Sequence, residues 1–242
     1  MLQKLMVIIF WLGLWALLYL LVGRSILLPS PLQTLSALIQ LSGAASFWLA
    51  ILLSLLRVMA GFVLGIIIGV MLAVISCNWR FAKQLLSPLL SVIKATPIVS
   101  FILLALVWLK IGQIPVFTSI LVVLPIVAAN VSSGIRTTSA QLLEMGQAFN
   151  LTKKTMLKEI YLPSIRPYFA AAANISIGLA WKAGIAAEVL CTPLNSIGRG
   201  LYNAKIYLQT DQLFAWTVVM ITLSMIIEKL LIERIIKGRV HV

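Results

Sequence analysis

The sequence predicts an all-α polytopic membrane protein of about six transmembrane helices. Two observations carry the class. Hydrophobic residues make up 62% of the 242 residues and charged residues only 10%, against roughly 45–50% and about 25% in soluble domains. A soluble fold of this size has too little interior to hide so much apolar surface. The apolar residues also fall in continuous runs that recur along the whole chain. Each is close to the roughly 20 residues that a helix needs to cross about 30 Å of hydrocarbon. The runs lack the alternation of a lipid-and-lumen strand, which excludes a transmembrane barrel. One membrane domain is expected over residues 1–242, with no room left for a soluble catalytic domain.

Taken in order, the first run is Leu5 to Gly23, behind Lys4. It is too long for a signal peptide and no small-x-small cleavage site follows, so a retained helix is expected. Arg24 to Gly43 is a connector marked by Pro29-Ser30-Pro31. Arg57 divides the second run: Phe47 to Leu56 is expected to approach along the interface, and Val58 to Ser76 to cross. Asn78, Arg80 and Lys83 form a short polar loop. The third run, roughly Pro88 to Leu109, is interrupted at Lys94 and Pro97. The fourth is Ile114 to about Val131, with Pro125 inside it. Ser132 to Arg166 is the long polar stretch. The fifth run is Pro167 to Leu190, a connector follows from Cys191 to Asp211, and the sixth covers Gln212 to Ile227 ahead of a basic tail.

Six crossings put both termini on one side, and the positive charges choose it. That side carries Lys4, Arg80, Lys83, Arg136, Lys153, Lys154, Lys158, Arg166, Lys229, Arg234, Lys237 and Arg239. The other side carries Arg24, Lys110, Arg199 and Lys205. Twelve against four assigns both termini and the 132–166 loop to the cytoplasm. The formal charge of +13 then reflects membrane lipid as the partner, and no nucleic acid. Cys77 and Cys191 fall at opposite ends of their spans and cannot pair. With no Cys/His cluster, and His241 alone in the tail, no metal site is expected. No nucleophile–base pair is present either, so no catalytic residue is expected.

The 132–166 stretch reads as two short helices and a turn. Thr138-Ser139-Ala140-Gln141 has capping-box spacing, so a helix starts after Thr138. Leu142, Met145 and Phe149 then share one face. Asn150 stops that helix, because Asn tolerates the left-handed conformation of a helix end. Thr152 caps a second helix through Tyr161, with Met156, Leu157 and Ile160 on one side. Leu162 precedes Pro163 and is expected to leave helical geometry. On pattern alone, the pair suits a protein partner or a resting place on lipid headgroups equally.

Glu144-Met145-Gly146, then Asn150, then Ile160-Tyr161-Leu162-Pro163 resembles the EAA loop of ABC-importer permeases. That pattern runs Glu-Ala-Ala, three residues, Gly, nine residues, Ile-x-Leu-Pro. Met145-Gly146 stands for Ala-Ala and Asn150 for Gly. The resemblance extends from about Pro29 to Leu231. Ser54-Leu55-Leu56-Arg57-Val58 with Gly61-Phe62 and Gly65, Ala180-Trp181 with Ala187-Glu188, and Ile197-Gly198 resemble the nitrate/sulfonate/taurine branch, which also includes carriers of bicarbonate and of thiamine or pyrimidine precursors.

The resemblance implies a type I importer permease in the cell membrane of a prokaryote. It implies Glu144, Met145, Gly146, Asn150, Ile160, Leu162 and Pro163 as an ATPase-coupling loop. It further implies a cytoplasmic ABC ATPase dimer, an extracytoplasmic solute-binding protein and a second copy of this chain as partners. The chain has no phosphate loop for a nucleotide, so ATP-Mg is expected on the ATPase and no cofactor here.

Two further features invite roles. Gly61, Gly65, Gly69 and Ala73 recur on one helix face, the pattern of close helix packing. Lys182 and Glu188 are ionisable residues within the fifth run and are expected to face a partner or a watery pathway. They are the candidate translocation residues. An ion-coupled secondary transporter is the alternative, but Glu188 would be its one membrane carboxylate and no internal repeat supports it.

Overall fold

The computed structural model describes residues 2–237, and side chains for residues 5–230. Lys4, Glu233, Arg234, Lys237, Arg239 and His241 therefore lie outside the described side chains. The described chain is helical throughout its regular structure. α1 (Leu2–Val22) follows the first apolar run, and its side chains are largely exposed. That suits a helix facing hydrocarbon.

The expected connector at 24–43 is corrected: it contains α2 (Pro31–Ser42). The Pro-Ser-Pro sequence breaks the chain only once. Ser30 accepts from the Gln33 backbone N–H at 3.1 Å, and the Gln33 side chain accepts from the Ser30 N–H at 2.9 Å. Pro31 at the first helical position gives up an N–H that had no partner in any case. A second correction concerns Arg57. α3 (Ala45–Asn78) is a single helix of 34 residues. A charged side chain costs hydration but breaks no backbone hydrogen bond, so the helix continues through it.

The polar loop at 78–83 is shorter than expected, because α4 (Arg80–Ala95) begins inside it. α4 and α5 (Ile98–Trp108) together form the third run and bend by 105° at their junction. Pro97 explains the bend: it lacks an N–H, and it pushes Thr96 to extended geometry at φ −81°, ψ 131°. α6 (Ile114–Arg136) enters through a 3₁₀ turn at Ile111–Gln113. α7 (Ala140–Ala148) and α8 (Lys153–Met156) lie in the polar loop. α9 (Leu162–Cys191), α10 (Ile197–Ile206) and α11 (Thr210–Lys237) complete the chain. Among the described residues, five helices are long and apolar enough to cross a membrane, and six if the bent α4–α5 pair is one span. The expected all-helical, roughly six-span architecture is what the chain adopts.

By its contacts the chain divides into two units, Met1–Leu56 with Glu188–Met225, and Arg57–Ala187 with Ile226–Val242. In the first, Trp15 donates to the Pro29 carbonyl at 3.0 Å and Thr210 to the Ile26 carbonyl at 2.6 Å. The Phe47 and Trp216 rings lie 4.8 Å apart. Gly200 admits this Trp216, since a Cβ there would stand 2.5 Å from the indole.

In the second unit, the small-residue stripe of α3 lies against α6. A Cβ at Gly61 would stand 2.5 Å from both the Ser119 Cβ and the Val116 carbonyl oxygen. At Gly65 and Gly69 it would meet Val123 and Val127. Lipid offers no hydrophobic drive for helix association, so close approach and dispersion must supply the attraction. Ser119 adds a hydrogen bond to the Ala180 carbonyl of α9 at 3.3 Å. The stripe is thus occupied within the chain.

Candidate functional site

The polar loop is built by three capping devices. Thr138 is not the cap expected from the sequence. Its hydroxyl donates back to the Gly134 carbonyl at 3.2 Å, and Ser139 caps α7 by accepting from the Leu142 N–H at 3.5 Å. A threonine at the end of α6 has a free carbonyl four residues behind it, and that bond competes with capping forward. Asn150 then closes α7 as expected, with a left-handed φ of 50°. The Leu151 N–H bonds the Gly146 carbonyl at 2.9 Å and the Asn150 N–H bonds the Gln147 carbonyl at 2.9 Å. This is a Schellman closure. Thr152 caps α8 by accepting from the Thr155 N–H at 3.2 Å.

The expected break at Leu162 does not occur, and this too is a correction. α8 passes through a π-helical turn at Leu157–Tyr161 directly into α9, with Leu162 helical at φ −60°, ψ −45°. The Leu162 N–H bonds the carbonyl of Leu157, five residues back. A proline ring in a regular helix strikes the carbonyl four residues behind it, and the wider π turn relieves that crowding. Pro163 therefore sits within one continuous helical path rather than ending it.

Gly146 and Ile160 pack the two arms together. Ile160 is 5% exposed, and a Cβ at Gly146 would stand 3.1 Å from its Cδ1. Met145, whose bulk departs from the Ala of the resembled motif, points outward. With Leu142 and Phe149 it leaves apolar side chains exposed on a polar loop, Phe149 at 73%. Glu144, Leu162 and Pro163 are exposed as well. Sequence periodicity had placed Leu142, Met145 and Phe149 on one face, and all three stand uncovered.

Glu188 has a different setting. It is 0% exposed and accepts from the Ser54 hydroxyl at 2.6 Å and from the Gly198 N–H at 3.2 Å. Ser54 in turn accepts from the Ile197 N–H at 2.9 Å, and Ser196 accepts from the Arg199 N–H at 3.0 Å. The first three N–H groups of α10, which no helix can satisfy internally, are thus each met by a side chain. The carboxylate stands at the positive end of the α10 dipole. Gly198 is obligatory here, because a Cβ would overlap the backbone and Cβ of Glu188. Nothing in the local sequence announced Ser54 as a helix cap 143 residues away. The usable signal was that Ser54, Glu188 and Ile197-Gly198 all belonged to the resembled motif pieces.

Lys182 is exposed on α9, between buried Trp181 and Ala183. No group of three or more His, Cys, Asp or Glu side chains suited to a metal is found among the described residues.

Residues 61–238 match the family described as the binding-protein-dependent transport system inner membrane component. The chain belongs to this permease family. The taurine transport system permease protein TauC of Escherichia coli is 22% identical over 207 residues, 83% of this chain and 75% of that one. SsuC of the same organism, named for aliphatic sulfonates transport, is 29% identical over 186 residues, 76% of this permease and 70% of SsuC. The fold is shared with the crystal structure of an amino acid ABC transporter with histidines. The TM-score there is 0.60 at 14% identity, covering 76% of this chain and 88% of that one. This chain is therefore an ABC transporter permease of a prokaryotic inner membrane and not an enzyme.

Proposed function

We propose that this permease forms the translocation pathway of an ATP-driven importer for a small solute delivered by an extracytoplasmic binding protein. The solute class is that of the relatives, nitrate-, sulfonate- or taurine-like, or a thiamine or pyrimidine precursor. The observation that supports the reading lies in the 132–166 loop: a helix pair locked by a Schellman turn that leaves Leu142, Met145 and Phe149 uncovered. Apolar side chains displayed on a rigid element suit the groove of a protein partner. The partner in question is an ABC ATPase dimer, which would hold the ATP-Mg, with Glu144, Met145, Gly146, Asn150, Ile160, Leu162 and Pro163 forming the lever between it and the spans.

In this reading the loop and both termini face the cytoplasm, as the charge asymmetry favours. Lys182 remains a candidate for contact with the solute, because it is exposed on a spanning helix. Glu188 acts as the fastener of α10. The assembly contains two copies of this chain and two ATPase subunits. Native mass spectrometry of the complex, purified with its ATPase, is expected to give that two-plus-two stoichiometry. A single permease copy with ATPase, or a second and different permease chain, would contradict it.

A further inference from the structure

The arrangement of α4, α5 and α6, all within the unit Arg57–Ala187, points to a passage for an anion. Two cavities meet at Lys94. One, of about 220 Å³, lies at the bend between α4 and α5, against Leu121, Val122, Pro125 and Ile126 of α6. The other, of about 300 Å³, is lined by Lys83, Ser87, Ser91 and Lys94 of α4 and by Ser132, Ser133 and Arg136 of α6. On α6 the lining positions 121, 122, 125, 126, 128, 129, 132, 133 and 136 trace one helical stripe. The stripe runs about 22 Å at 1.5 Å per residue. The groove is therefore apolar at its inner end and polar and cationic towards the loop.

Its chemistry is one-sided. Three cations and five serines line the polar part, Ser76 among them, and no carboxylate does. Among the described residues, none of Lys83, Lys94 and Arg136 has a carboxylate within ion-pair distance. Lys94 and Arg136 each lie in the last turn of a helix, where a cation is favoured. Lys83 lies in the first turn of α4, where a cation is disfavoured. The cytoplasmic excess of positive charge accounts for Lys83 and Arg136 standing at this end of the spans, but not for their sharing one serine-rich groove with Lys94 and no carboxylate. Ammonium, guanidinium and hydroxyl donors in a concave site are the donor set for a sulfonate, sulfate or carboxylate group. We propose that this groove conducts the anionic group of the solute, with Lys94 at the transition from its apolar to its polar part.

The proposal rests on the importer reading and names its substrate class and lining residues. Its test uses the complex with ATPase in inverted membrane vesicles, in a Cys77→Ala/Cys191→Ala background. Ser91→Cys and Ser133→Cys, both at exposed positions in the groove, are labelled with a sulfonate-bearing and with a trimethylammonium-bearing methanethiosulfonate. Each rate is normalised to that reagent's rate with a free small thiol. The anionic reagent is expected to be favoured by about tenfold, the scale on which a focused positive potential raises encounter rates. That preference is expected to disappear in Lys94→Gln/Arg136→Gln. Labelling at both positions is also expected to slow when ATP and vanadate trap the ATPase, because a passage alternates whereas a basic surface does not. Equal normalised rates for the two reagents, or labelling indifferent to trapping, would overturn the passage. The charge preference needs no turnover by the ATPase, so it can fail or succeed independently of the importer reading.

Discussion

Glu188→Ala is expected to lose most of the folded permease. The substitution leaves the Ser54 hydroxyl and the Gly198 N–H without their shared acceptor in a site of zero exposure. An unsatisfied buried polar group costs about 1–3 kcal/mol, and two of them consume a large part of the roughly 5–15 kcal/mol that holds a domain together. Gly198→Ala is expected to be as severe by a different route, since its Cβ would overlap main-chain atoms that cannot move aside. Glu188→Gln keeps one oxygen to accept from the Ser54 hydroxyl and the Gly198 N–H, which bond the same carboxylate oxygen, but replaces the other with an NH2 donor and removes the charge, so it is expected to cost less than Ala. The order of thermal midpoints in detergent should therefore be wild type, then Gln, then Ala, with Gly198→Ala near the bottom. A Glu188→Ala protein that melts like wild type but fails to transport would instead make Glu188 a solute contact.

The second large effect concerns coupling. Glu144→Ala combined with Pro163→Ala is expected to leave insertion and melting close to wild type, because both side chains are exposed. Pro163→Ala restores an N–H at a position where the π turn now accommodates a proline. The helical path through Leu157–Tyr161 is then free to tighten, which would shift the register of α7 against α9. ATPase bound to the double variant should hydrolyse ATP with uptake reduced at least tenfold, or should fail to copurify. Wild-type uptake with ATPase bound normally would remove the loop from the mechanism.

Much of this was legible in the sequence, and the misses share a cause. Hydrophobic runs located the long helices because the lipid requirement is crude and length-based. Asn150 was readable because few residues accept its backbone conformation. Pro31, Arg57 and Leu162 each carry a local signal for a break, and the helices run through or start at all three. In each case a local rule about one residue was overruled by its position: the first turn for Pro31, an unbroken backbone ladder for Arg57, a π turn for Leu162. The α10 fastener was illegible by pattern. Ser54, Glu188 and Gly198 meet only through tertiary structure, and a serine in an apolar helix looks the same whether or not it caps another.

In the proposed importer, ATP acting through a partner ATPase at the 132–166 loop drives inward transport through this chain. The direct measurement is uptake into proteoliposomes containing the permease and its ATPase, with the solute-loaded binding protein outside and ATP within. Uptake is expected only when all three are present, and an imposed proton or sodium gradient without ATP should give none. Gradient-driven uptake by the permease alone would contradict the account and make the chain an ion-coupled carrier.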